Sequence, residues 1–167
     1  MENSVIILLE NICLIKLLPI EVMKEEYMKI ININQLSVFL VMKAVLPSMR
    51  KLNSASIVNI SSLAGIIGTV GGIGYNASKF AVRGMTKVAA LEFAEYNIRV
   101  NSIYPGVIET PMIGGENTEL INEISKTIPL KRVAKPQEVT NLVLHLLSDE
   151  SSYSTGSEFI IDGGLFE

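Results

Sequence analysis

Apolar residues cluster along this chain with two different periods. Val5-Ile6-Ile7-Leu8-Leu9 is an unbroken, β-branched run, the pattern of a strand buried on both faces of a parallel sheet. Ala55 to Ile60, Ile98 to Tyr104 and Ser157 to Ile161 read as three further strands. Between them the period lengthens. From roughly Val22 to Lys51, Tyr27, Ile30, Ile31, Asn34, Val38 and Val41 fall near one stripe, which predicts a helix. Tyr75 to roughly Tyr96 is the strongest helical stretch. Its apolar residues, among them Ala81, Val82, Met85, Val88 and Phe93, cover more than one face, so it is expected to pack against more than its own sheet. Lys135-Pro136-Gln137-Glu138 starts a last helix with a proline and an acid in the first turn, running to about Leu147. Strands alternating with helices predict an α/β fold: about four parallel strands, with helices on both faces.

Composition narrows the possible chemistry. The 167 residues suffice for one domain, 1–167, with a real core, and 49% are apolar. A net charge of −3 without a basic patch argues against nucleic acid as a partner. The single cysteine, Cys13, lies among Ile12, Leu14 and Ile15, which excludes an internal disulfide and suits a buried thiol in a reducing compartment. The apolar start, Val5 to Ile20, is interrupted by Glu10, Asn11 and Lys16, and no basic region precedes it. It reads as neither a membrane span nor a signal peptide, so a soluble, cytoplasmic chain without a membrane partner is expected. His145 is the lone histidine, and no metal site is expected.

The candidate chemistry starts at Gly74-Tyr75-Asn76-Ala77-Ser78-Lys79. Tyr75 and Lys79 are four apart, so on a helix both project from one face. A free phenol, with a pKa near ~10, is a poor proton carrier at neutral pH. A nearby ammonium favours the phenolate and fits it for acid–base work. Alone, this spacing is weak and also suits a solvated helix face. Upstream, the strand Ile57-Val58-Asn59-Ile60 runs into Ser61-Ser62. Ser62 thus follows the carboxyl end of a parallel strand, where open α/β sheets bind ligands. Ser61 reads as a structural hydroxyl. Asn34 alone reads equally as a helix Asn that caps or kinks its helix, and Pro105-Gly106 as a plain turn after a strand.

Together, in this order, these motifs resemble the short-chain dehydrogenase/reductase family, over nearly the whole chain from Val5 to Asp162-Gly163-Gly164. Among its members, hydroxysteroid dehydrogenases look nearest. The resemblance implies a Rossmann-type doubly wound sheet and an active set of Asn34, Ser62, Tyr75 and Lys79. In it, Tyr75 moves the proton, Lys79 also contacts the cofactor ribose, Ser62 positions the carbonyl and Asn34 holds a relay water. Pro105-Gly106-Val107-Ile108-Glu109-Thr110 matches the turn that meets the nicotinamide, with the Ile108 backbone and the Thr110 hydroxyl on its carboxamide. Asn11 is the one match in the segment Glu10-Asn11-Ile12-Cys13, where the family carries a small Ala-Gly pair. The implied cofactor is NAD or NADP. The implied substrate is a small apolar secondary alcohol or ketone, hydroxysteroid-like or of 3-oxoacyl type. Met112 to Thr127 has the mixed character of a substrate lid. A homo-oligomer is implied through the Asn34 and Tyr75 helices.

One family motif does not occur in these residues: the Thr-Gly-x-x-x-Gly-x-Gly turn that brings backbone amides to the pyrophosphate. The expectation is a domain truncated at its N-terminus, without the first three strands and with only one side of the dinucleotide crevice. The Val5–Leu9 strand would then be an open edge. Two functions follow: an NAD(P)-dependent oxidoreductase, or a catalytically inactive fragment acting, if at all, through its oligomer interface.

Overall fold

The computed structural model describes residues 6–9, 20–52, 54–110 and 118–166. The four expected strands form one parallel sheet, β1 (Ile6–Leu9), β2 (Ala55–Ile60), β3 (Ile98–Pro105) and β4 (Glu158–Ile161), lying side by side in chain order. Ile7 sits opposite Ile57, Ile57 opposite Val100, and Ser102 opposite Glu158. The connections carry α1 (Lys24–Ile31), α2 (Ser37–Met49), α3 (Ile73–Phe93), α4 (Thr118–Thr127) and α5 (Pro136–Leu147). Cys13 lies outside the described residues.

Two cores flank the sheet, set by the alternation of side chains along each strand. Ala55, Ile57, Ile98 and Val100 pack with Val38, Met42 and Met49 of α2 and Val82, Ala89 and Phe93 of α3. On the opposite face, Val58 and Ile103 pack with Val143, Leu146 and Leu147 of α5. The Ser56 hydroxyl donates to the Leu146 carbonyl at 2.9 Å, anchoring α5 to β2. The strands advance in one direction across the sheet, yet α3 and α5 lie on opposite faces. The β3-to-β4 connection therefore has the opposite hand to the β2-to-β3 connection. Crossovers between parallel strands are normally all right-handed. Here some fifty residues, Gly106 to Ser157, separate the two strands, enough chain for the helix to change faces.

The helix expected over 22–51 is one run, but not one α-helix. A π turn, Asn32–Leu36, joins α1 to α2. The buried positions Ile30, Asn34, Val38 and Met42 are each four apart. On an unbroken α-helix a four-residue step overshoots a full turn by about 40°, so such a stripe drifts off its face. The wider π turn absorbs an extra residue and returns Asn34 and Val38 to the side facing α3. Met42 takes the fully buried place expected of Val41, which packs at the margin. By length and composition the run Lys24–Met49 would suffice to cross a membrane. One side of it is instead buried against α3, and Leu36, Phe39 and Leu40 remain exposed on the other.

The start of α5 is fastened by charge. Glu138, in the first turn, accepts from the Lys135 N–H at 2.9 Å, one half of a capping box. Its two oxygens also take both terminal nitrogens of Arg132 at 2.7 Å. The Arg132 guanidinium, aided by that backbone N–H, lowers the Glu138 carboxyl from its ordinary 4.5 to about 2. Because the folded value is the depressed one, the stability from Glu138 is complete above pH 4.5 and is lost as pH falls toward 2. Glu138→Gln is expected to be less stable than wild type at neutral pH, with the difference shrinking as urea melts are taken down through that window.

Candidate active site

The carboxyl end of β2 organises the site. The chain leaves β2 through Ser61 and Ser62 and enters a short 3-10 turn, Leu63–Gly65. Ser62 is half-buried, and its Oγ accepts from the Ala64 N–H at 3.2 Å. Among the described residues this is its one side-chain hydrogen bond, so the hydroxyl has its own proton to give and a second lone pair. Ser61 is buried and donates to the Lys79 carbonyl of α3 at 3.2 Å, the structural role expected of it. Gly65 permits this approach. A Cβ there would stand 2.7 Å from Ser61 Oγ and 2.9 Å from the Lys79 carbonyl oxygen. For Gly65 the requirement is close packing, whereas Gly68 faces open space.

Tyr75 stands in the first turn of α3 and Lys79 one turn later. Both are buried, at 8% and 2% exposure. The Lys79 ammonium lies 5.8 Å from the centre of the Tyr75 ring and donates to the Ile60 carbonyl, the last of β2, at 3.2 Å. A buried ammonium is costly unless hydrogen-bonded. This one is held between a phenol ring and the strand end that leads into Ser62. Gly74 lets α1 press on the first turn of α3, since a Cβ there would meet Ile30 at 3.1 Å.

Asn34 is fully buried, and its Nδ2 donates to Ser78 Oγ at 3.3 Å. Ser78 in turn donates to the Tyr75 carbonyl at 2.7 Å. The π turn thus brings Asn34 to the residue beside Lys79. Ser78 was given no role from the sequence, nor was Asn76. The Asn76 Nδ2 donates to the carbonyls of Ala64 at 2.9 Å and Ile67 at 2.6 Å, and its Oδ1 accepts from Thr69 at 2.5 Å. It staples the loop after Ser62 to the turn that carries Tyr75. The signal for both was their place between Tyr75 and Lys79: short polar side chains in the first turns of an otherwise apolar helix.

A second buried phenol, Tyr104 on β3, also went unnoticed in the sequence. Burial pushes its ionisation up, and Ser102 Oγ donates to it at 3.0 Å. It is held neutral. Further along α3, Arg83 and Lys87 grip Glu158 of β4 at 2.8 and 2.6 Å, and the Arg83 hydrogen bond pulls the Glu158 carboxyl down. These contacts fix the height of α3 against the far edge of the sheet.

The turn after β3 is also built in. The Gly106 N–H donates to the Ile161 carbonyl at 3.0 Å, and a Cβ on Gly106 would stand 2.8 Å from Asp162. Its small size is therefore required by the adjacent chain. Ile108 bridges Ala134 in parallel fashion. Pro105, Ile108 and Thr110 are each half-buried. Asn11 lies outside the described residues, as do 112–117, the start of the expected lid. Asn34, Ser78, Tyr75 and Lys79 are joined through α3. Lys79 reaches the end of β2, two residues before Ser62.

A family model described as enoyl-(acyl carrier protein) reductase matches residues 5–166. The chain belongs to the short-chain dehydrogenase/reductase family. It is 50% identical over 139 residues to a 3-alpha-(or 20-beta)-hydroxysteroid dehydrogenase of Mycobacterium bovis, covering 83% of this chain and 52% of that protein. Identity is 47% over 148 residues to a 3-oxoacyl-(acyl-carrier-protein) reductase of Thermotoga maritima, covering 89% of this chain and 60% of that protein. Among solved structures, a 4-hydroxyisoleucine dehydrogenase complexed with NADH superposes with a TM-score of 0.83 at 34% identity, over 89% of this chain and 63% of that one. The chain thus spans about half to two thirds of the length of these family members.

Proposed function

We propose that this chain carries the proton-transfer and substrate-orienting part of an NAD(P)-dependent oxidoreductase acting on a secondary alcohol or the matching ketone. The observation that carries this reading is the Lys79 ammonium, buried against the Tyr75 ring while hydrogen-bonded to the strand end that leads into Ser62. An ammonium in that place favours the phenolate. In the oxidation direction the Tyr75 phenolate takes the hydroxyl proton of the substrate. In the reduction direction the phenol returns it to the carbonyl oxygen. Ser62 orients that oxygen through its hydroxyl, and Asn34 anchors the relay water. Ser78 and Asn76 are positioning residues for this set.

The donor set suits one end of a dinucleotide. The Lys79 ammonium, an N–H donor that also reaches the Ile60 carbonyl, would hold ribose hydroxyls. The Ile108 backbone and Thr110 would hold the carboxamide, with Pro105 and Gly106 shaping the turn. When bound, the dinucleotide supplies or accepts the hydride. The likeness to a hydroxysteroid dehydrogenase and to a 3-oxoacyl reductase supports an apolar or acyl-chain substrate.

A second copy of the chain would cover the apolar face of α2 and α3. Phe39 and Leu40 on α2, and Phe80, Val88 and Leu91 on α3, are 43–82% exposed. Phe80, Gly84 and Val88 are four apart and Leu91 returns to the same side. A soluble monomer rarely leaves so much contiguous apolar surface uncovered.

Titration of the purified chain with NAD(H) and NADP(H), followed by assay on cyclic and steroidal secondary alcohols, tests the catalytic reading. Saturable binding is expected, with turnover reduced about 10²–10⁴-fold in Tyr75→Phe. Absence of binding at millimolar cofactor would contradict it and leave the inactive reading. Sedimentation velocity tests the assembly: the wild-type chain is expected to run as an oligomer and Leu91→Glu as a smaller species, whereas a wild-type monomer would refute it.

A further inference from the structure

The turn after β3 is held from two sides, and on one side the holder is itself clamped. Val107 and Glu109 clasp a single residue, Ala134: the Ala134 N–H donates to the Val107 carbonyl at 3.1 Å, and the Glu109 N–H donates to the Ala134 carbonyl at 2.8 Å. Ala134 has no functional side chain; it acts through its backbone. That backbone lies inside a short ring of chain closed by charge. Arg132, two residues before it, meets Glu138, four residues after it, through both terminal nitrogens at 2.7 Å. Glu138 also takes the N–H of Lys135, next to Ala134, at 2.9 Å. Arg132 Nη1 further donates to the carbonyl of Val133, on the other side of Ala134, at 3.3 Å. The residues flanking Ala134 are therefore both tied to the same ion pair. Arg132, Ala134 and Glu138 line a cleft of about 80 Å³ together with Val107 and Asp162.

We propose that the Arg132–Glu138 pair is a positioning device that sets the Ala134 backbone and, through it, the Val107–Thr110 turn. The cofactor consequence rests on the reading that this turn meets the carboxamide; the mechanical coupling does not. A bidentate pair fixes direction as well as distance. A lysine in place of Arg132 would keep the charge without the fork, and a glutamine in place of Glu138 would set an amide N–H against a guanidinium N–H. Either change frees residues 133–135 to tilt, and the two hydrogen bonds to the turn open with them.

Amide hydrogen exchange of the full chain, compared among wild type, Glu138→Gln and Arg132→Lys, tests the coupling directly. The amides of Glu109 and Ala134 are expected to exchange about threefold to tenfold faster in both variants, beyond the smaller acceleration of the β2 and α3 amides that the lower global stability of Glu138→Gln produces. Unchanged exchange at Glu109 and Ala134, or an equal acceleration across the whole chain, would overturn the proposal. With cofactor present, the half-saturating concentration is expected to rise by a similar factor while kcat stays within about twofold, the split that distinguishes positioning from general destabilisation. If the chain binds no cofactor, the catalytic reading fails, and the exchange result still decides the clamp.

Discussion

The constraint on which the site depends is the seating of α3 on the carboxyl end of β2. Two hydrogen bonds cross there in opposite senses. The strand side gives Ser61 Oγ to the Lys79 carbonyl, and the helix side gives the Lys79 ammonium to the Ile60 carbonyl. A backbone group and a side chain of one residue are thereby fixed to one strand end. The approach is close enough to require glycine at position 65. Tyr75, one turn earlier on the same helix, inherits its position from this contact, and Ser62 inherits its own from the strand.

Everything else in the fold supports that seating. On the outer side, α1 presses on Gly74, and the π turn sends Asn34 to Ser78. Farther along α3, Asn59 of β2 donates to Thr86 at 2.8 Å in an otherwise apolar layer, and Arg83 and Lys87 reach Glu158. Polar contacts of this kind add little free energy in the net but fix register, because a slipped helix would leave buried groups unpaired. The apolar layer of Ile57, Val82, Val100 and Phe93 supplies the burial that holds the helix down.

Much of this was legible in the sequence, for a physical reason. β2 and β3 carry β-branched residues on both faces, Ile57, Ile98 and Val100 on one and Val58 and Ile103 on the other, so both strands are marked in the sequence, and the structure moves their limits by at most one residue. The Tyr–Lys spacing and the Pro-Gly turn are local and were equally visible. What escaped was of two kinds. Local backbone changes such as the π turn at Asn32–Leu36 leave only a small trace, a stripe that steps by four from Ile30 to Met42 where a single helix would put Val41. Contacts between distant segments have no local trace: the clasp on Ala134, the packing of Gly106 on Asp162, and the reversed hand that carries α5 to the other face. Ser78 and Asn76 lay in plain view between Tyr75 and Lys79, but the contact of Ser78 with Asn34 spans 44 residues and that of Asn76 with Ala64 spans 12.

The central claim is that the Lys79 ammonium sets the acidity of the Tyr75 phenol. The direct measurement is a pH titration by NMR of chain labelled with ¹³C at the tyrosine phenol carbon, with the Tyr75 signal assigned by its loss in Tyr75→Phe. The account predicts that Tyr75 ionises at lower pH in the wild-type chain than in Lys79→Met, with the other tyrosines unmoved. Ionisation of Tyr75 at the same pH in both proteins would contradict it.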